Sequence, residues 1–99
     1  MTDIIETLGG SQVQHGTSSN RVYLMKLDPA DLPELTGELD ELARARGYTK
    51  IFAKVPEPQA EAFLQQGYRR EGAIPGFYGG EITGVFLGKY FDSGRARAA

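Results

Sequence analysis

The chain of 99 residues has no cysteine. A disulfide, a thiolate nucleophile and a cysteine-ligated metal are therefore excluded. Histidine occurs once, at His15. A lone imidazole near a hairpin is expected as a surface or capping residue, and no second histidine or carboxylate cluster at ligand spacing accompanies it, so no metal site is expected. Basic residues are not in excess: eleven against thirteen acidic ones, for a net charge of −2. That balance lacks the basic stripe of a nucleic-acid binder. No stretch approaches the ~20 apolar residues of a membrane span. The first ten residues carry Asp3 and Glu6 and lack a long apolar run, so no signal peptide is expected and the cytoplasm is the default compartment. Ser11, Ser18 and Ser19 have no Gly-x-Ser-x-Gly setting, which excludes a serine hydrolase of that type. Gly9-Gly10 and Gly79-Gly80 are too short for a phosphate-binding fingerprint.

What is present suits one small globular domain over 1–91. Hydrophobic residues make up 40% of the chain, and a chain this size can bury roughly 65% of its unfolded surface. Asp3 to Leu8 and Gln12 to His15 flank Gly9-Gly10 as a hairpin, with Ser11 in the turn or the second strand. Arg21 to Leu27 is a strand whose apolar run suggests partial cover on both faces. Leu32, Leu35, Leu39, Leu42 and Ala43 recur at helical spacing and form one apolar stripe, closed by Gly47. Asp28 and Asp31 both suit the helix cap; Asp31 is preferred because Pro33 then falls in the first turn, where its missing N–H matters least. Gly37 inside this helix has no evident purpose.

Thr49 to Val55 alternates as a strand, with Ile51, Ala53 and Val55 on one face and Lys50, Phe52 and Lys54 on the other. Ala60, Phe63 and Leu64 mark a short helix ended by Gly67. Tyr68 to Ile74 and Ile82 to Phe91 read as an antiparallel pair around Pro75-Gly76-Phe77-Tyr78-Gly79-Gly80. Aromatics on such a glycine-hinged loop line a pocket or cap a core. Residues 92–99 read as a tail or the start of an interdomain linker. The fold class is mixed α+β, in the order β-β-β-α-β-α-β-β, with a largely antiparallel sheet and two helices.

Isolated charges give only candidate contacts. Lys50 and Lys54 suit a solvated sheet edge. In a functional reading, Arg21, Lys54 or Arg69 meets the carboxylate of an amino-acid substrate. A substrate cation would take Glu71, Glu81 or the faces of Phe77 and Tyr78. The candidate substrate-binding set is Arg21, Lys54, Glu71, Phe77 and Tyr78.

The element order, with the segment Phe63-Leu64-Gln65-Gln66-Gly67-Tyr68 and the aromatic loop after it, resembles the second half of the GNAT acetyltransferase fold over Arg21 to Phe91. Four segments carry a closer resemblance. Gln14-His15-Gly16, Asn20 to Leu27, Ile51 to Pro56 and Ile74 to Tyr78 are similar to the N-terminal region of β-lysine N-acetyltransferases. Those are longer proteins whose second domain carries the acetyl-CoA signature. The resemblance implies acetyl transfer from acetyl-CoA to the side-chain amine of β-lysine, which makes a compatible solute. It implies acetyl-CoA as co-substrate of the longer enzyme, and a C-terminal catalytic domain, a second subunit or a homodimer mate as partner. Two departures bear on this chain. Where the family keeps a glycine-rich pyrophosphate loop, Asp28-Pro29-Ala30-Asp31-Leu32-Pro33 has no glycine, two prolines and two carboxylates. Where many members keep a tyrosine acid, four residues before the glycine, the chain has Phe63. No catalytic residue and no cofactor site are therefore expected here. The expectation is a domain that is noncatalytic alone and supports a substrate groove or an interface; the alternative is a freestanding interaction module with the same fold.

Overall fold

The computed structural model describes residues 3–91. The expected tail at 92–99 lies outside the described residues. The element order agrees with the sequence reading: strands β1 (Ile4–Leu8), β2 (Ser11–Gly16) and β3 (Arg21–Lys26), helix α1 (Glu34–Arg46), strand β4 (Lys50–Pro56), helix α2 (Ala60–Leu64), and strands β5 (Arg69–Ile74) and β6 (Gly84–Tyr90). They form one six-stranded sheet in the order β1-β2-β3-β4-β6-β5. Only β3 and β4, joined through α1, pair in parallel; the other neighbours are antiparallel. No helix among the described residues is long and apolar enough to cross a membrane.

Alternation along the strands decides the two faces. Val13 and His15 of β2, Val22 and Leu24 of β3, Ile51, Ala53 and Val55 of β4, and Val85 and Leu87 of β6 all point to one side and are buried. Leu35, Leu39 and Ala43 of α1 and Ala60 and Phe63 of α2 complete that core, with Leu32 and Leu42 packed at its margin. Gly47 closes α1 in the left-handed conformation, at φ 73°. The ion pair Lys89–Asp40, at 2.8 Å, ties β6 to α1 at the core's edge. Both helices thus cover the same side of the sheet. The opposite side carries Arg21, Tyr23 and Met25 of β3, Lys50, Phe52 and Lys54 of β4, and Phe86 and Tyr90 of β6, and no helix among the described residues covers it.

Three expectations are corrected. His15 is fully buried, because it shares the inward register of Val13 and stands opposite Val22. Its Nε2 faces the Glu6 carboxylate, and its Nδ1 lies 3.0 Å from the Tyr48 hydroxyl. With Nε2–H donating to the carboxylate, Nδ1 accepts from Tyr48. Lys50 and Lys54 are not on a sheet edge: β4 lies between β3 and β6. Asp31 does not cap α1. Pro33 holds the N-cap position, without a side-chain hydrogen bond. Asp28 caps a preceding 3-10 turn, Pro29–Asp31, while Asp31 reaches the β1–β2 hairpin. There its carboxylate accepts from the Gly10 N–H at 3.0 Å and from the buried Ser11 hydroxyl. A carboxylate finds charge-assisted donors at the hairpin, and that contact outweighs a helix cap that Pro33 already occupies.

Candidate functional site

β6 determines the shape of the uncovered face. Its outward positions read Gly84, Phe86, Gly88 and Tyr90, so two glycines leave dips on either side of Phe86. Phe77 fills the first dip: a Cβ on Gly84 would lie 2.7 Å from the Phe77 side chain. The Phe77 ring meets Phe86 edge-on, with centroids 5.6 Å apart. Glu71 and Tyr90 lean over the second dip, where a Cβ on Gly88 would come within 3.1 Å of the Glu71 carboxylate and 3.2 Å of the Tyr90 ring. Glu71 reaches this point because the β5–β6 register shifts between Arg70 and Gly72.

A cavity of about 280 Å³ opens beside this second dip. Tyr23, Phe52, Phe86, Tyr90 and Glu71 line it, with Ala53 and Leu87 contributing. Phe52 and Tyr90 meet edge-on at 6.4 Å. At its β3 side the Arg21 guanidinium lies 5.7 Å from the Tyr23 ring centre and 5.4 Å from that of Phe52. Arg21 Nε is buried without a hydrogen-bond partner, and no carboxylate pairs with Arg21 among the described residues. Glu71 pairs with no cation among them and has only a long contact, 3.5 Å, with the Tyr90 hydroxyl.

A second cavity, about 460 Å³, lies toward the C-terminal ends of the parallel strands. The β3–β4 pairing ends at Leu24 and Ala53, although both strands continue. Met25, Lys26, Leu27, Pro29, Lys54, Pro56 and Tyr78 line the space beyond. Lys54 Nζ lies 5.3 Å from the Phe77 ring centre. Burial raises the Tyr78 phenol above its ordinary range, and nearby Tyr23 adds to this.

All five sequence candidates, Arg21, Lys54, Glu71, Phe77 and Tyr78, thus flank the two cavities of the uncovered face. Glu71 lines the aromatic cavity, with Arg21 against its Tyr23 and Phe52 rings; Lys54 and Tyr78 line the second, with the Phe77 ring beside Lys54. The loop aromatics do both things expected of them, since Phe77 caps a dip and Tyr78 lines a cavity. Arg69 and Glu81 are exposed and join neither lining. Tyr23, Phe52, Phe86 and Tyr90 were missed. Their signal was the shared outward parity on three strands, which becomes legible only once the strands are in order.

The segment 28–33 does not fit a pyrophosphate. Each of its backbone N–H groups is already committed: Asp28 to the Ser11 hydroxyl at 2.9 Å, Ala30 to the Asp28 carboxylate at 3.0 Å, Asp31 to the Asp28 carbonyl and Leu32 to the Pro29 carbonyl. Pro29 and Pro33 have none to give. Asp28 and Asp31 add negative charge where an anion would sit. Phe63 cannot donate a proton, and Tyr68 does not replace it. Tyr68 packs edge-on against Phe63, with centroids 5.2 Å apart, on the helix-covered side.

No family model matches the chain. It is similar to the β-lysine N(6)-acetyltransferase of Methanococcus maripaludis, with 33% identity over 95 residues, 96% of this chain. The chain spans about a third of that relative's length (34%). Among solved structures, the Escherichia coli ribosomal-protein-S18-alanine N-acetyltransferase superposes with a TM-score of 0.63 at 13% identity, covering 91% of this chain and 70% of that one. An acetyltransferase from Bacillus cereus gives 0.62 at 17% identity, covering 91% and 72%. The fold is that of the GNAT acetyltransferases.

Proposed function

We propose that this chain of GNAT fold is the N-terminal, noncatalytic domain of a cytoplasmic β-lysine N-acetyltransferase, and that it walls the substrate side of the enzyme. The observation that carries the reading is the similarity to the Methanococcus maripaludis enzyme along almost the whole chain. The reaction would move an acetyl group from acetyl-CoA to the side-chain amine of β-lysine, yielding a compatible solute. The committed N–H groups of segment 28–33 support placing acetyl-CoA on another domain or subunit. The uncovered face supplies a surface against which that catalytic part would pack.

Calorimetric titration of acetyl-CoA into the folded chain tests this directly. No saturable heat is expected; saturation would overturn the assignment of the CoA site elsewhere. In the Methanococcus maripaludis enzyme, deleting the segment that matches this chain should impair acetylation of β-lysine. Full activity after deletion would overturn the supporting role. A second reading, an interaction module without enzymatic duty, draws on the exposed rings of Phe77, Tyr78 and Tyr90. Self-association without any ligand binding would favour it.

A further inference from the structure

The aromatic cavity carries an inference that deepens this reading and rests on it: the chemistry of the substrate's seat. Glu71 lines the cavity, Arg21 lies against two of its lining rings, Tyr23 and Phe52, and neither charge has a counter-ion among the described residues. The Arg21 guanidinium lies against Tyr23 and Phe52 with Nε buried and unpaired. A planar guanidinium in this state seeks an acceptor with two oxygens, which a carboxylate supplies. Across the cavity stands the Glu71 carboxylate, beside the Tyr90 ring and the bare backbone of Gly88. A carboxylate framed by aromatic rings is suited to an ammonium group, which the rings attract through their faces as the carboxylate does through charge.

The spacing follows from the register. Arg21 stands opposite Lys50, and Lys50 opposite Tyr90. Glu71 belongs to β5, one strand beyond β6, so the two charged ends derive from strands three spacings apart, about 14 Å between backbones. The charged ends are nearer than the backbones, because the Glu71 carboxylate lies over Gly88 of β6 and the Arg21 guanidinium lies against the Phe52 ring of β4. Between the ends, Phe52 and Phe86 offer an apolar floor.

We infer that this cavity is a binding site for an aliphatic amino acid, its carboxylate held by Arg21 and an ammonium group by Glu71 among the rings of Phe52 and Tyr90. Gly88 is the specificity element, because even a Cβ there would press on the Glu71 carboxylate and the Tyr90 ring, and a larger side chain would displace them. The site holds and orients; it transfers nothing.

The test is binding to the whole chain, followed by nuclear magnetic resonance and calorimetry, with four probes: β-lysine, L-lysine, 1,5-diaminopentane and hexanoate. Saturable binding of at least one of the two amino acids in the millimolar range or tighter is expected. The diamine and hexanoate, each lacking one of the two charges, should bind more weakly. Glu71→Gln should weaken amino-acid binding about ten- to a hundredfold, the loss of one charged hydrogen-bonded contact. Arg21→Gln should do the same to the amino acid and leave the diamine unchanged. Because Arg21 packs on two rings, Arg21→Lys serves as a second variant that keeps the charge and loses the planar fork. Gly88→Val should abolish binding while far-ultraviolet circular dichroism stays that of the parent. Absence of binding by both amino acids overturns the inference, as does parent-like binding in Glu71→Gln. The two readings fail separately. Saturation by acetyl-CoA would overturn the proposed function and leave this site standing. Silence toward the amino acids would remove the site, whatever acetyl-CoA does.

Discussion

Replacing Tyr68 by phenylalanine removes one oxygen from the core and tests two consequences of its burial. Tyr68 is 4% exposed, and its hydroxyl has no hydrogen-bond partner among the described residues. Lys89 Nζ sits 5.6 Å from its ring centre and is engaged with Asp40. A buried hydroxyl without a partner costs about 1–3 kcal/mol. Tyr68→Phe keeps the edge-on contact with Phe63 and removes that cost. The variant should therefore be as stable as the parent, or more stable by up to about 2 kcal/mol, at neutral pH. The second consequence concerns alkali. Burial, and secondarily the Asp40 carboxylate, push the Tyr68 phenol well above its ordinary range. Above about pH 10 the unfolded chain loses this proton while the folded chain keeps it. The contribution of Tyr68 is thus fully present below the ordinary tyrosine pKa and is lost as pH rises beyond it, with a slope approaching 1.4 kcal/mol per pH unit at about pH 11. Urea unfolding followed by circular dichroism, at neutral pH and at steps from about pH 9 to about pH 11, reads both effects. The variant should lose stability less steeply than the parent over the alkaline steps. Destabilisation above about 1 kcal/mol at neutral pH would show that the hydroxyl has a partner. Equal alkaline slopes would refute the protonation argument.

Gly37 lies exposed in the middle of α1, and a Cβ there would meet nothing within 4 Å, so Gly37→Ala should stabilise the protein by about 0.5–1 kcal/mol. A higher urea midpoint with an unchanged slope checks this; a lower midpoint would contradict it. Gly84→Val should cost about 1–3 kcal/mol by pushing Phe77 off β6. Phe77→Ala in the same chain should recover part of that loss in a double-mutant cycle, and strict additivity would mean the two side chains do not collide. Asp31→Ala should cost about 1–3 kcal/mol by stranding the buried Ser11 hydroxyl, while water replaces the carboxylate at the exposed Gly10 N–H. Hydrogen exchange should then rise in the β1–β2 turn and not in the first turn of α1. The opposite pattern would restore Asp31 as a helix cap.

Much of the architecture was legible because its signals are local. Alternation from Lys50 to Pro56 needs no neighbour to announce two faces, and β4 buries Ile51, Ala53 and Val55 as that alternation requires. The stripe Leu35, Leu39 and Ala43 recurs at the helical period and lies in the core, while Gly47 supplies the left-handed residue at which α1 stops. The site was legible in part. Arg21, Lys54, Glu71, Phe77 and Tyr78 could be named one by one from their chemistry. Nothing local said that Glu71 lines a cavity whose Tyr23 and Phe52 rings hold Arg21, fifty residues away in the chain, nor that Tyr90 joins them there.

The sequence by itself determined which segments are strands and helices and, for β4 and α1, which side chains point together. Tertiary structure decided the rest. It inserted β6 between β4 and β5, set both helices on one side of the sheet, sent Asp31 to a hairpin, and made Gly84 and Gly88 seats for Phe77 and for Glu71 with Tyr90. The physical reason is range. Propensity, capping and periodicity act among residues a few positions apart. A cavity wall instead depends on strand order and register, where one slip of a residue turns every side chain to the other face.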